Sequence, residues 1–319
     1  MKHRKIVVLD GYAANPGDIS WDPLRELAEV VIYERSRPEE VAKRIAGAEI
    51  ILTNKVFIDR YLIENTPTLR YVGVLATGYN VVDLEAANEQ GIVVTNIPAY
   101  STEAVAQFVF ALLLEICHNV GHHSQAVHDG RWEKSEDFVF WDYPLIALSG
   151  KTLGIIGYGR IGQATAKIAQ AMGMKVAVYT RSAVKEGGVT VLSLDQLLEA
   201  SDVISLHCPL NDQTREIINR ETIRKMKDGV IIINTGRGAL INEQDLTDAL
   251  KSGKVYAAGV DVVSEEPIKG ANPPLEAPNC FITPHIAWAT YASRVRLMDI
   301  AVANVKGFLT GAIRNRVTS

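Results

Sequence analysis

The chain reads as an α/β protein made of two doubly wound parallel-sheet domains with a cleft between them. Three observations predict this. Short apolar runs of strand length alternate with helically spaced segments, as expected for a parallel sheet covered on both faces. The alternation is interrupted once and then restarts. The length, 319 residues, suits about two domains.

In the first half, 5–9, 30–33, 50–52, 71–75 and 92–94 read as buried strands, and 22–28, 39–46, 59–64 and 83–89 carry helical spacing. This five-stranded unit ends near Pro98. A long helix is predicted over 101–120, where Ala104, Phe108, Ala111, Leu112 and Glu115 fall on helical rows and Ser101 or Thr102 can cap. The stretch 121–150 is less periodic and holds Trp132, Phe138, Phe140, Trp141 and Tyr143. Alternation resumes with strands at 152–156, 175–179, 203–206, 230–233, 256–260 and 280–282, and helices at 160–172, 194–200, 219–226 and 243–251. A last helical pattern covers 288–309, and the prolines of 269–278 mark a loop. Two such units predict a cleft between them, a preferred place for ligands.

Composition narrows the function. Apolar residues make up 47% and charged residues 22%, which fits a globular core and excludes dominant disorder. The net charge of −4 argues against a general nucleic-acid binder. No apolar run approaches the roughly 20 residues of a membrane span, and the basic start is followed by too short an apolar segment for a signal peptide. Cys117, Cys208 and Cys280 are odd in number and form no CxxC pair, which suits a reducing, cytoplasmic setting.

The segment Gly157-Tyr158-Gly159-Arg160-Ile161-Gly162 has the G-x-G-x-x-G pattern, follows an apolar strand and opens a helix, the context of a dinucleotide-binding Rossmann turn. Gly157 permits the tight turn, Gly159 lets a pyrophosphate approach the backbone at the helix start, and Gly162 allows close packing. At the end of the next strand an NAD site commonly carries an acid. This chain has Thr180 there, followed by Arg181. No carboxylate repels a 2′-phosphate and a guanidinium is at hand for one, so NADP or dual use is favoured over strict NAD. A solvated Arg181 in an NADH enzyme is the alternative.

Three further segments begin at ends of predicted strands, the edge at which open α/β sheets bind ligands. They are Asn234-Thr235-Gly236-Arg237-Gly238, the run from Asp261 to Glu266-Pro267, and Thr283-Pro284-His285-Ile286-Ala287-Trp288. Arg237 can hold a carboxylate bidentately. His285 can carry a proton near neutral pH. A carboxylate such as Glu266, bonded to the imidazole, would orient it and favour its charged form. Together they suit hydride transfer to a 2-oxo acid. Spacing alone does not bring the three together, and each taken singly also reads as a surface or strand-end residue.

These motifs with the glycine turn strongly resemble the D-isomer-specific 2-hydroxyacid dehydrogenase family over essentially the whole chain. The resemblance implies catalytic Arg237, Glu266 and His285, and places Asp261 near the nicotinamide carboxamide. It sets Thr235 and Gly236 at the cofactor and His207-Cys208-Pro209 along its adenine. It implies a discontinuous, flavodoxin-like substrate domain of 1–99 plus 288–319, with 100–287 forming the dinucleotide-binding domain. Within the latter, the aromatic segment 121–150 would serve homodimerisation.

The loop Ala76-Thr77-Gly78 resembles the family's substrate loop, with Thr77 and Gly78 as backbone donors to a carboxylate. Asn54, beside Lys55, is placed at the expected cleft. This loop, with 10–18 and 140–146, looks most like the glycerate dehydrogenase, or hydroxypyruvate reductase, branch. Phe138 and Phe140 suit a dimer core, and Trp141 suits either that core or a partner's substrate site. His118, His122, His123 and His128 complete no metal-ligand pattern, so no metal is expected. The competing readings are a dehydrogenase for a bulkier 2-oxo acid or for phosphite, and a non-catalytic dinucleotide-sensing protein.

Overall fold

The computed structural model describes residues 4–184 and 188–318. The chain divides into two compact units, Met1–Ser101 with Ala289–Ser319, and Thr102–Trp288.

The first unit runs β1 (Lys5–Val8), α1 (Gly11–Ala14), α2 (Asp22–Arg25), β2 (Glu29–Ile32), α3 (Pro38–Ile45), β3 (Ile50–Thr53), α4 (Arg60–Glu64), β4 (Tyr71–Val74), α5 (Leu84–Glu89) and β5 (Val93–Thr95). Its sheet has the order β2-β1-β3-β4-β5, with every pair parallel. The β-branched runs predicted as strands are the sheet's centre: Ile6, Val7, Val8, Ile50, Ile51 and Val72 have no exposed side-chain surface. Each such burial is worth about 1.5–3 kcal/mol relative to exposure. The short α1 has only four residues, too few to leave a periodic signal in the sequence.

The second unit opens with α6 (Thr102–His118) and α7 (Val120–His128). The single helix expected to residue 120 breaks at Asn119, which adopts φ 48°, ψ 46°. This left-handed conformation ends one helix and re-aims the chain. Nine residues of α6 are buried, including Val109, Leu113 and Ile116, whereas α7 buries none. The helix over 120–128 is therefore an element that periodicity missed: with no buried face it carries no apolar stripe. No single helix among the described residues is long and apolar enough to cross a membrane.

After α7 come β6 (Thr152–Ile156), α8 (Arg160–Ala171), β7 (Lys175–Tyr179), the two-residue β8 (Thr190–Val191), α9 (Leu194–Ala200), β9 (Val203–Leu206), α10 (Arg220–Lys225), β10 (Val230–Asn234), α11 (Glu243–Ser252), β11 (Val255–Val260) and β12 (Cys280–Ile282). The parallel sheet has the order β12-β11-β10-β9-β6-β7-β8. From β6 the chain builds outward through β7 and β8, then crosses to the other side of β6 for β9, so the topological switch lies between β6 and β9. Sheets of this kind bind ligands at that point, beyond the carboxyl ends of the strands.

The last helix, α12 (Tyr291–Thr310), belongs to the first unit. Its start is capped by the Thr290 hydroxyl, which accepts from the Ser293 N–H, and Gly311 ends it at φ 78°. Phe308 packs on Tyr71 of β4 with ring centroids 4.9 Å apart, and the tail after the helix bonds to β5 through Val317 N–H and Val94 O.

Candidate active site

Six strands of the second sheet end in register. Tyr179 pairs with Ile156, Ile156 with Leu206, Leu206 with Asn234, Asn234 with Val260, and Val260 with Ile282. The residues that follow these positions are Thr180, Gly157, His207, Thr235, Asp261 and Thr283. Motifs scattered over more than a hundred residues of sequence thus emerge along one row, because parallel strands all point the same way.

The glycine turn shows three different constraints. Gly157 has φ +97°, and a Cβ there would lie 2.4 Å from the Cys208 nitrogen. A Cβ on Gly162 would meet the Gly157 carbonyl oxygen at 2.4 Å. Both glycines are required by the protein's own packing. A Cβ on Gly159 would meet nothing within 4 Å, so packing does not require this glycine. Gly159 precedes α8, whose start has no side-chain cap and no acid in its first turn. The amides of Arg160, Ile161 and Gly162 open a helix whose dipole favours an anion. Across the row, the Thr235 hydroxyl is buried without a hydrogen-bond partner among the described residues. A buried orphan hydroxyl costs about 1–3 kcal/mol unless a ligand satisfies it. Open space over Gly159, an uncapped helix and an orphan hydroxyl fit a dinucleotide.

At the adenine side predicted from sequence, the His207 ring bonds Ser205 Oγ at 2.9 Å, and burial pushes the imidazole down to about 4. Burial pushes the Cys208 thiol up, away from a nucleophilic thiolate. Pro209 follows at the exposed end of this turn. Thr180 Oγ1 accepts from the Ser182 N–H, and exposed Arg181 donates to Gln213 Oε1 at 3.3 Å.

The Arg237 turn is shaped by Asn234, which is fully buried. Its side-chain amide donates to Arg237 O at 2.9 Å, and its oxygen accepts from the Gly236 N–H at 3.0 Å. The exposed Arg237 guanidinium donates to Gly236 O at 2.8 Å. Next to it, a Cβ on Gly238 would lie 1.9 Å from the Val263 carbonyl carbon. The Arg237 turn and the loop that carries Glu266 therefore touch backbone to backbone.

Asp261 is 1% exposed. Its carboxylate accepts from Thr283 Oγ1 at 2.6 Å and from the N–H groups of Ile286 and Ala287, both at 2.8 Å. Burial pushes its pKa up, opposed by these donors and by the nearby His285. The same residue's carbonyl accepts from the His285 N–H at 2.8 Å. His285 has φ 55°, a conformation that costs a non-glycine residue about 1–3 kcal/mol and survives only when its surroundings impose it. Asp261 supplies that constraint. The strained turn brings His285 Nδ1 to 2.6 Å from Glu266 Oε2. A carboxylate only accepts, so Nδ1 carries the proton and Nε2 is turned to other work.

In the first unit, Asp10 organises the loop after β3. Its carboxylate accepts from the N–H groups of Asn54, Lys55 and Val56 at 2.7, 2.6 and 3.1 Å. Asn54 is buried. After β4, the Ala76 carbonyl accepts from the Ile97 N–H and Thr77 Oγ1 donates to Ile97 O. Among the described residues the N–H groups of Thr77 and Gly78 have no acceptor, which leaves two donors on a braced loop. Trp141 stands on the segment after α7 and is 60% exposed. That segment is held by Asp142, which bonds both His122 and Arg131. Sequence reading placed Asp10, Asn234 and Gly238 in motifs but gave none of them a role. Each acts through backbone contacts that no motif records, although Asn234 and Gly238 flank Arg237.

Comparison with known proteins identifies the family. Residues 110–287 match the model of the D-isomer specific 2-hydroxyacid dehydrogenase NAD binding domain. The chain is 60% identical over 319 residues to a hydroxypyruvate reductase of Blautia hydrogenotrophica, covering 98% of this chain and 99% of that one. It is 41% identical over 282 residues to a glycerate dehydrogenase of Methylorubrum extorquens, covering 88% of each. Among solved structures, an NADPH-dependent glyoxylate/hydroxypyruvate reductase from Sinorhizobium meliloti in complex with citrate superposes with a TM-score of 0.85 at 30% identity, covering 98% of this chain and 97% of that one. The chain belongs to the D-isomer-specific 2-hydroxyacid dehydrogenase family.

Proposed function

We propose that this chain is an NAD(P)H-dependent reductase of hydroxypyruvate, with glyoxylate as a smaller substrate, and that it runs in reverse as a D-glycerate dehydrogenase. The observation that carries the chemistry is the 2.6 Å pair of His285 and Glu266 beside the Arg237 turn. The similarity to hydroxypyruvate reductase and glycerate dehydrogenase supports the choice of substrate.

The bound nicotinamide would supply a hydride. Arg237 grips the substrate's carboxylate and polarises its keto oxygen with paired donors. In the first unit, the N–H groups of Thr77 and Gly78, with Ala76 and Asn54 on the same sheet edge, form a donor set suited to a carboxylate. His285 would give its Nε2 proton to the keto oxygen during the reduction, and a proton from solvent would replace it. Glu266 keeps the imidazole oriented through its contact with Nδ1. Gly157, Gly159, Arg160, Ile161 and Gly162 would hold the pyrophosphate, His207, Cys208 and Pro209 would border the adenine, and Thr235, Gly236 and Asp261 would border the nicotinamide. Thr180 and Arg181 would donate to a 2′-phosphate, which favours NADPH or both coenzymes.

The exposed aromatic segment supports a homodimer. Phe138 is 88% exposed, and Trp132, Trp141 and Leu145 each exceed half. A patch of this kind on a soluble chain marks an interface. Trp141 then belongs to that interface or covers the partner's substrate, in an enzyme we place in the cytoplasm. A spectrophotometric panel of NADH and NADPH against hydroxypyruvate, glyoxylate, pyruvate and phenylpyruvate tests the reading. The highest kcat/KM is expected for hydroxypyruvate, and a clear preference for phenylpyruvate would overturn the substrate assignment.

A further inference from the structure

We infer that Glu243 is a positioning residue for the reduction, holding the loop that carries Glu266 and thereby fixing the direction of the His285 imidazole. The inference rests on the roles given above to Glu266 and His285.

The loop leaves the sheet after β11 and re-enters it at β12, and 263–271 forms neither helix nor strand. Such a segment needs an external anchor to hold a carboxylate within a few tenths of an ångström. Glu243 supplies one. Its Oε1 accepts from the Ser264 N–H at 2.6 Å, and its Oε2 accepts from Ser264 Oγ at 2.7 Å and Asn272 Nδ2 at 3.2 Å. One side chain thus ties the loop near both of its ends, with charge-assisted bonds.

The anchor is itself rigid. Glu243 is the first residue of α11, where Asn242 caps the Asp245 N–H and Leu246, Ala249 and Leu250 are buried. On the loop side the path to the imidazole is short. Val263, beside Ser264, donates its N–H to Glu266 Oε1 at 3.2 Å, which leaves Oε2 for His285. The backbone contact at Gly238 presses on the same two residues, Val263 and Ser264. Glu243 contacts Ser264 and Asn272, not the reacting atoms, so its effect passes through Glu266.

A double-mutant cycle tests this with Glu243→Ala, Glu266→Gln and the double variant, in the full-length enzyme with hydroxypyruvate and NAD(P)H. Glu243→Ala is expected to lower kcat about tenfold or more, the scale of a small misplacement, with coenzyme affinity held within about twofold. In the Glu266→Gln background the same change is expected to cost less than about twofold, because two residues acting through one contact are not additive. Glu243→Gln keeps one acceptor and is expected to lose less than Glu243→Ala; it carries the cycle if the alanine variant does not fold. Losses that multiply in both backgrounds, or an unchanged kcat in Glu243→Ala, overturn the inference. Full turnover in Glu266→Gln alone overturns instead the catalytic reading on which it rests.

Discussion

His285 Nδ1 lies 2.6 Å from Glu266 Oε2, although one residue sits in a strained turn beyond β12 and the other on an irregular loop. The contact exists because buried Asp261 pins the turn and because the loop is pressed against the Arg237 turn at Gly238. Glu266→Gln keeps the shape and removes the charge. It is expected to lower kcat about tenfold to a hundredfold while coenzyme binding, followed by fluorescence titration, stays near the wild-type value. A loss confined to coenzyme affinity would contradict the role given to Glu266.

Gly238 is the test of the pinch between the two loops. A Cβ there meets backbone, not a flexible side chain, so something must shift. Gly238→Ala is expected to cost about 1–3 kcal/mol of stability, as overpacking does, and to lower kcat because Arg237 and Glu266 move apart. Denaturant unfolding and steady-state kinetics check both parts. A variant equal to wild type in both would show that the loops are free to separate.

In the proposed reading, coenzyme choice turns on Arg181, which stands exposed just past β7 and donates to Gln213 Oε1. Arg181→Ala is expected to raise KM for NADPH about tenfold and to leave NADH within about twofold, since only the former carries the 2′-phosphate. Equal losses would remove Arg181 from phosphate recognition.

His207 predicts a pH dependence of stability. Burial holds its imidazole down to about 4 in the folded coenzyme-free chain, against about 6.5 when unfolded. Between these values the unfolded chain binds a proton that the folded chain does not. Its contribution is therefore full above about pH 6.5 and is lost as the pH falls toward 4. Thermal melts of the coenzyme-free protein over that range should slope less steeply in His207→Gln. Parallel slopes would contradict the assignment.

Much of this was legible in the sequence. Buried parallel strands leave uninterrupted β-branched runs, so every strand of three or more residues was found; β8, with two, was not. The glycine turn was legible because two of its glycines answer to steric demands inside the strand–helix unit. The break at Asn119 was not, because asparagine tolerates a left-handed conformation without requiring it. Residue chemistry at the strand ends proposed Arg237, Glu266 and His285 and the resemblance joined them, yet the sequence held no sign of the contacts that Asn234, Gly238 and Glu243 make around them. Those contacts form only when β10, β11 and β12 lie side by side. Asp261, read from resemblance as a neighbour of the nicotinamide, already accepts three hydrogen bonds that build the His285 turn.

The most direct measurement is kcat/KM for hydroxypyruvate, followed by NAD(P)H absorbance, in Arg237→Ala and His285→Asn, with coenzyme affinity measured in parallel. Both variants are predicted to lose about a hundredfold or more while binding coenzyme within about threefold of wild type. Wild-type turnover in either variant would contradict a reduction carried by the guanidinium and the imidazole.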